Sequence, residues 1–248
     1  YIFISLFLIF PILSKELVLF YYKYSYITLK IEGTGEKRVF YEKDNEARCH
    51  SFVPPDEVYI NNASQTDIKF KYNFNEPLNI VKLVWEKEVT YATCMFYKCS
   101  DIKEIDFSHF NSSLINGDLL AMFKGCTSLI SLDLSNFITL QVVNMNYMFC
   151  FCKKITILDL TNFYTPQVLN IEGLFKGCSS LYNLSIMNFN TSKVSQMNEM
   201  FDGCSSLKKL DLNYFNTSQV INMNSMFKDC ASLENLTISN FDTSQVTN

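Results

Sequence analysis

Apolar residues return along most of this chain on a beat of 26. Cys126, Cys152, Cys178, Cys204 and Cys230 are 26 residues apart (152 − 126 = 26, and so on), and Cys99 precedes them by 27. Around each cysteine the same columns recur. Leu129, Ile155, Leu181, Leu207 and Leu233 open a phrase, and Leu132, Leu158, Leu184, Leu210 and Leu236 follow three residues later. Leu134, Leu160, Ile186, Leu212 and Ile238 come next, and Phe137, Phe163, Phe189, Phe215 and Phe241 close the phrase. A second set holds Val142, Val168, Val194, Val220 and Val246, then Met145, Ile171, Met197 and Met223, then a Met-Phe or Leu-Phe pair before the cysteine. Periodicity on this scale marks copies laid one on another.

The two halves of a copy predict different elements. Leu-x-Leu followed by Asn-Phe alternates with period two, which suits one brief strand. From the valine to the cysteine the apolar residues are spaced three, three, one and three apart. That spacing predicts one or two turns of helix, with glycine or aspartate near its end. A single copy has too few apolar side chains to offset the entropy of ordering it, so stacking is obligatory.

The segment before the repeats is organised differently. Residues 1–13 are an apolar run ending at Ser14-Lys15, too short to span a bilayer and of the length of a signal-peptide core, so a signal peptide is expected over 1–14. The rival reading, an anchor extended through Tyr22, places Lys15 and Glu16 inside the apolar span at a cost. Residues 15–88 read as a β-rich N-terminal cap. Strands are expected at 26–32, 58–60, 68–72 and 80–85, with turns at Gly33-Thr34-Gly35, Pro54-Pro55-Asp56-Glu57 and 73–77. The last strand is expected to run into the first coil, and the unit to cover the open end of the stack. A ligand-binding role for it is the other reading. The repeats occupy 89–248 and stop midway through a copy.

One stretch carries a resemblance. Phe201 to Cys204, Ser205-Ser206-Leu207-Lys208-Lys209-Leu210-Asp211-Leu212 and Phe215-Asn216-Thr217-Ser218-Gln219-Val220-Ile221-Asn222-Met223 resemble the 26-residue repeat of BspA-type leucine-rich-repeat bacterial surface proteins. The likeness covers roughly 89–248. It implies a curved solenoid of leucine-rich-repeat type, with a short strand and a short helical segment per 26-residue coil, displayed outside the cell for adhesion or protein binding. It brings no catalytic residues and no cofactor.

Composition narrows the chemistry. A net charge of −4 offers no basic footprint for nucleic acid, and two histidines are few for metal or acid–base work. Cys94-x4-Cys99 and Cys150-x-Cys152 lack the spacing of zinc knuckles. Cys99, Cys126, Cys152, Cys178, Cys204 and Cys230 form one structural column. It reads either as buried reduced thiols or as disulfides between adjacent coils. Nine cysteines cannot all pair among themselves, and of the three outside the column Cys49 and Cys94 are placed to tie the cap to the first coil. Asn136, Asn162, Asn188 and Asn240 are expected to form an amide ladder bonding the backbone of the next coil.

With the leucines inward, Asp106, Asp133, Asp159 and Asp211 face solvent on the strand side. They read as a solvated face or as an acidic stripe that binds a partner, flanked by Lys103, Ile130, Thr156, Tyr182, Lys208 and Glu234. Asn62, Asn111, Asn183, Asn190, Asn216 and Asn235 carry the N-glycan acceptor pattern, which matters in a secreted eukaryotic chain. Three functions follow. The first is a non-catalytic surface or secreted scaffold that binds an unknown protein or cell-surface ligand, touching the membrane only through an anchor. The second is a passive coat or spacer. The third is an enzyme with its chemistry in residues 25–85, where Asp56, Glu57 and Asp67 are the available acids.

Overall fold

The computed structural model describes residues 25–41, 49 and 52–247, so the expected signal peptide at 1–14 lies outside the described residues. The chain first forms β1 (Ser25–Glu32), β2 (Gly35–Arg38), β3 (Glu57–Ile60), β4 (Ala63–Ser64), β5 (Lys71–Phe74) and β6 (Leu78–Trp85). In β1 the alternation is literal: Ile27, Leu29 and Ile31 are wholly buried, and the residues between them are partly exposed. β1 pairs antiparallel with β6, Leu29 facing Val81, and on its other edge with β7 (Ile102–Asp106), Leu29 facing Ile105.

β7 then pairs in parallel with β9 (Ser131–Asp133), giving a six-stranded sheet in the order β4-β3-β6-β1-β7-β9. The last strand, β6, runs on into the first coil as expected, where the N–H groups of Cys94, Phe96 and Lys98 donate to Leu120, Met122 and Lys124 of the next copy, while sideways it is the first strand, β1, that pairs with the strand of that coil. The chain leaves β6 at Trp85, whose indole N–H donates to the Val53 carbonyl at 3.0 Å, and turns through Val89–Cys99 before returning as β7. β5 also falls later than the alternation of 68–72 suggests, because Gly35–Arg38 pairs with Lys71–Phe74.

Beyond β7, copy lies on copy. β8 (Gly117–Asp118) pairs in parallel with β10 (Val142–Asn144), β11 (Ile157–Asp159) with β12 (Asn183–Ser185), and β13 (Lys209–Asp211) with β14 (Asn235–Thr237). Leu158 faces Leu184 and Leu210 faces Leu236, and parallel bridges link Asn144, Asn170, Gln196 and Asn222 in series, all 26 residues apart. Inside, Phe96, Phe123, Phe149, Phe175, Phe201 and Phe227 stack with ring centroids 5.6 to 5.9 Å apart. Phe137, Phe163 and Phe189 form a second stack.

The helical segments are absent: no helix occurs among the described residues. The stretch from valine to cysteine is a run of tight turns. The N–H groups of Met145, Tyr147, Phe149 and Phe151 donate to the carbonyls of Asn170, Glu172, Leu174 and Lys176 in the next copy. Those of Met148, Cys150 and Cys152 donate only three residues back. A helix would spend every N–H four residues back within its own segment.

The backbone also turns left-handed at two positions in each copy, four residues apart: Tyr147 and Phe151 (φ 57° and 60°), Gly173 and Gly177 (56° and 71°), Glu199 and Gly203 (57° and 77°). An L-residue helix cannot hold such positions. Their four-residue spacing is close to one helical turn, so the apolar spacing imitates a helix that the dihedrals forbid. The architecture is thus β-rich, made of several small sheets, and not a leucine-rich-repeat solenoid with helical segments.

Candidate binding face

The outward side of the repeat strands collects the residues singled out above. In β11, Ile157 and Asp159 point to solvent while Leu158 is buried between them. Ile130 and Tyr182, in the copies on either side, are also about half exposed, at 48 and 52%.

Each aspartate ends a strand and caps the turn that follows. Asp106 accepts the N–H of Ser108 at 2.7 Å, Asp133 that of Ser135 at 2.9 Å, Asp159 that of Thr161 at 3.0 Å and Asp211 that of Asn213 at 3.0 Å. These are Asx turns, in which a short carboxylate replaces a backbone acceptor. Ser135, through its backbone N–H and its side chain, holds the Asp133 carboxyl below the ordinary aspartate value. The stripe is uneven. Asp106 lies directly opposite Asp133 across the β7–β9 pair, whereas Asp159 faces Ser185 and Asp211 faces Thr237.

The cysteine column is inside. Cys99, Cys126, Cys152, Cys178, Cys204 and Cys230 are free thiols, all buried except the half-buried Cys230. From Cys126 on, each Sγ–H donates to the carbonyl of a phenylalanine in the previous copy, at 3.1 or 3.2 Å: Phe96, Phe123, Phe149, Phe175 and Phe201 in turn. Burial pushes these thiols above the ordinary value. Cys150, outside the column, is pushed up to about 11, again by burial. The other pair closes as a disulfide, Cys49–Cys94, with Cα atoms 5.7 Å apart. It joins the N-terminal unit to the turns before β7.

A column of buried hydroxyls escaped the reading of the sequence. Thr139, Thr165, Thr191 and Thr217 are 1 or 2% exposed. Each donates Oγ1–H to a carbonyl 25 residues on: Tyr164, Asn190, Asn216 and Asp242, at 2.8 to 3.0 Å. The last three also accept the N–H of the same residue, at 2.7 to 2.9 Å. Spacing alone would have found the column, because Thr139, Thr165, Thr191, Thr217 and Thr243 keep the beat of 26.

The asparagine column bonds backward, to the previous copy and not to the next one as expected, because each amide reaches the turn carbonyls just past the previous copy's strand. The amide N–H of Asn136, Asn162 and Asn240 donates to Ser108, Leu134 and Asn213 carbonyls at 3.2, 2.7 and 2.9 Å, and that of Asn188 to Thr161.

Of the glycan acceptors, Asn62, Asn183, Asn190, Asn216 and Asn235 are exposed and Asn111 is half-buried. Asn111 and Asn216 each accept the N–H and the hydroxyl of the serine two residues on. Asn183 belongs to β12, on the same face as Asp159.

The three acids of the N-terminal unit are held apart by separate partners. Asp56 accepts the Glu86 N–H at 2.9 Å, Glu57 accepts the Tyr59 hydroxyl at 2.6 Å, and Asp67 pairs with Lys69 at 3.5 Å. An open groove of about 640 Å³ runs beside β1 and β7, lined by Lys30, Glu32, Asp101 and Lys103 among others. Its charges pair across the strands, Lys30 with Glu104 at 2.7 Å and Lys103 with Glu32 at 3.1 Å.

These features define a protein of stacked 26-residue repeats with a β-rich unit at one end and side chains presented in columns. The chain belongs to the family described as Mycoplasma protein of unknown function, DUF285, whose model matches residues 66–157, 90–207 and 150–248. The matches overlap because the motif is itself repeated. Neither a curated protein nor a solved structure matches the chain.

Proposed function

We propose that this chain is a non-catalytic repeat scaffold, exposed on the cell surface or secreted, that binds another protein. One observation carries the reading: the outward strand face exposes apolar Ile157 beside Asp159 on β11, with half-exposed Ile130 and Tyr182 just before β9 and β12 and Asp133 closing β9. Exposed apolar side chains flanked by fixed charge are what a recognition surface offers.

Two facts support the location. The Cys49–Cys94 disulfide suits an oxidising compartment. The repeat phrase resembles that of BspA-type surface proteins, and it is this display outside the cell, without their helical architecture, that is carried over. A passive coat or spacer is the second reading, favoured by the use of every stripe aspartate as a turn cap.

The test is made on cells that produce the full chain. An antibody to the repeats should reach them on intact cells, and deletion should abolish attachment to a surface those cells otherwise bind. Exposed repeats with attachment unchanged would leave only the coat. Repeats reached only after lysis would sink both readings.

A further inference from the structure

We propose that the strand face around β11 docks an extended polypeptide segment in which an apolar residue is followed, two positions on, by lysine or arginine; this rests on the scaffold reading above. Ile157 and Asp159 leave the same side of one strand, and residues two apart on a strand are about 6.8 Å apart. An extended partner laid along β11 has the same spacing. An apolar side chain over Ile157, which is 53% exposed, therefore brings a basic one over Asp159. Asn183 faces Ile157 across the β11–β12 pair, Ile130 and Tyr182, 48 and 52% exposed, add apolar surface one residue before β9 and β12, and Asp133 and Asp106 continue the acidic strip.

The charge pattern selects the sign of the partner. Among the described residues no ion pair engages Asp106, Asp133 or Asp159. One step toward the N-terminal sheet the charges are matched within the chain, Lys30 to Glu104 and Lys103 to Glu32. Asp106, Asp133 and Asp159 thus leave uncompensated negative charge along the strip that holds Ile157. A cationic side chain there gains charge-assisted hydrogen bonds, and an acidic segment or a nucleic acid is repelled. The turn N–H groups of Ser135 and Thr161 already hold two of the carboxylates, so little side-chain order is left to impose on binding.

The full chain, produced without N-glycans so that Asn183 is bare, is titrated with a fluorescent acetylated peptide alternating valine and arginine. The control peptide has glutamate in place of arginine. The arginine peptide should bind and the glutamate peptide should not. Asp133→Lys with Asp159→Lys should weaken binding about tenfold, through the loss of two exposed charge pairs and the added repulsion. Ile157→Glu should weaken it by a similar factor. If the lysine variant fails to fold, Asp133→Asn with Asp159→Asn keeps the capping acceptor and removes only charge, and it should still weaken binding severalfold. Equal binding of both peptides, or equal binding by parent and variants, overturns the proposal. Should that happen while deletion of the chain still abolishes attachment, the face is wrong and the scaffold reading stands.

Discussion

Replacing Thr191 with valine isolates what holds one copy to the next. The side chains have nearly the same shape, so packing is preserved and only the hydroxyl is lost. Thr191 is 2% exposed, and its Oγ1 donates to the Asn216 carbonyl at 3.0 Å and accepts the Asn216 N–H at 2.8 Å. Two hydrogen bonds go at once, and a backbone group stranded without a partner costs about 1 to 3 kcal/mol. Asn216 itself is exposed, so water recovers part of that cost. The expected loss is about 2 to 3 kcal/mol, toward the lower end of the sum of two such penalties.

Two controls fix the cause. Thr191→Ser keeps both bonds and removes one methyl, about 1 kcal/mol. Thr243→Val alters the same column where it is exposed, and should stay within about 0.5 kcal/mol of the parent. Urea unfolding gives the global change. Because stacked repeats open in blocks, amide exchange at Asn216 gives the local one, and it should accelerate in Thr191→Val alone. Equal urea midpoints for Thr191→Val and Thr243→Val, with unchanged exchange at Asn216, would refute the argument.

Gly173→Ala should cost about 1 to 3 kcal/mol in urea unfolding, because φ is +56° there and a Cβ would overlap the Tyr147 ring. Ser225→Gly, at φ 57° in the same column, should be neutral or stabilising by up to about 1 kcal/mol. In the folded protein at pH 8 a thiol reagent should find Cys230 first and the buried thiols only slowly, while in guanidinium all seven free cysteines should react. Hydrogen bonds from Ser135 hold the Asp133 carboxyl below the ordinary aspartate value, so its contribution is present above that ordinary value and is lost as pH falls through the lower folded one. Asp133→Asn should therefore flatten the acid limb of urea midpoint against pH. Asp118, raised by burial, has the opposite sign: acidification relieves its cost, and Asp118→Asn should remove that relief.

Sequence reading and structure part company at identifiable residues. The columns through Cys126, Leu129, Phe137 and Val142 all point inward, because a position that must be apolar in every copy is legible without coordinates. The Val142–Cys152 stretch was misread because hydrophobic spacing reports which side chains are buried, not which carbonyl each N–H meets. Gly125, Gly177 and Gly203, which the spacing places near helix ends, and Gly173, which it places inside a helical stretch, all sit at left-handed positions. Alternation puts Asp106, Asp133, Asp159 and Asp211 outside the leucines, and they are exposed, yet their capping bonds to Ser108, Ser135, Thr161 and Asn213 depend on turn geometry that spacing does not encode. The threonine column keeps the beat of 26 in the sequence, but its burial follows only from the bonds that each hydroxyl makes to the next copy.

By itself, then, the order of residues determined the length of one copy, which side chains lie within the stack and that each copy must rest on another. Those follow from burial, which any periodic chain declares through its apolar positions. The backbone path between those positions was decided only in three dimensions. Left-handed turns and helix bury the same side chains, and what separates them is that the N–H groups of Met145 to Phe151 find carbonyls in a neighbouring copy at least as readily as in their own. Likewise β6 leads into the first coil along the chain while β1 pairs with its strand β7, because strand edges choose partners by hydrogen-bond register and not by order along the chain.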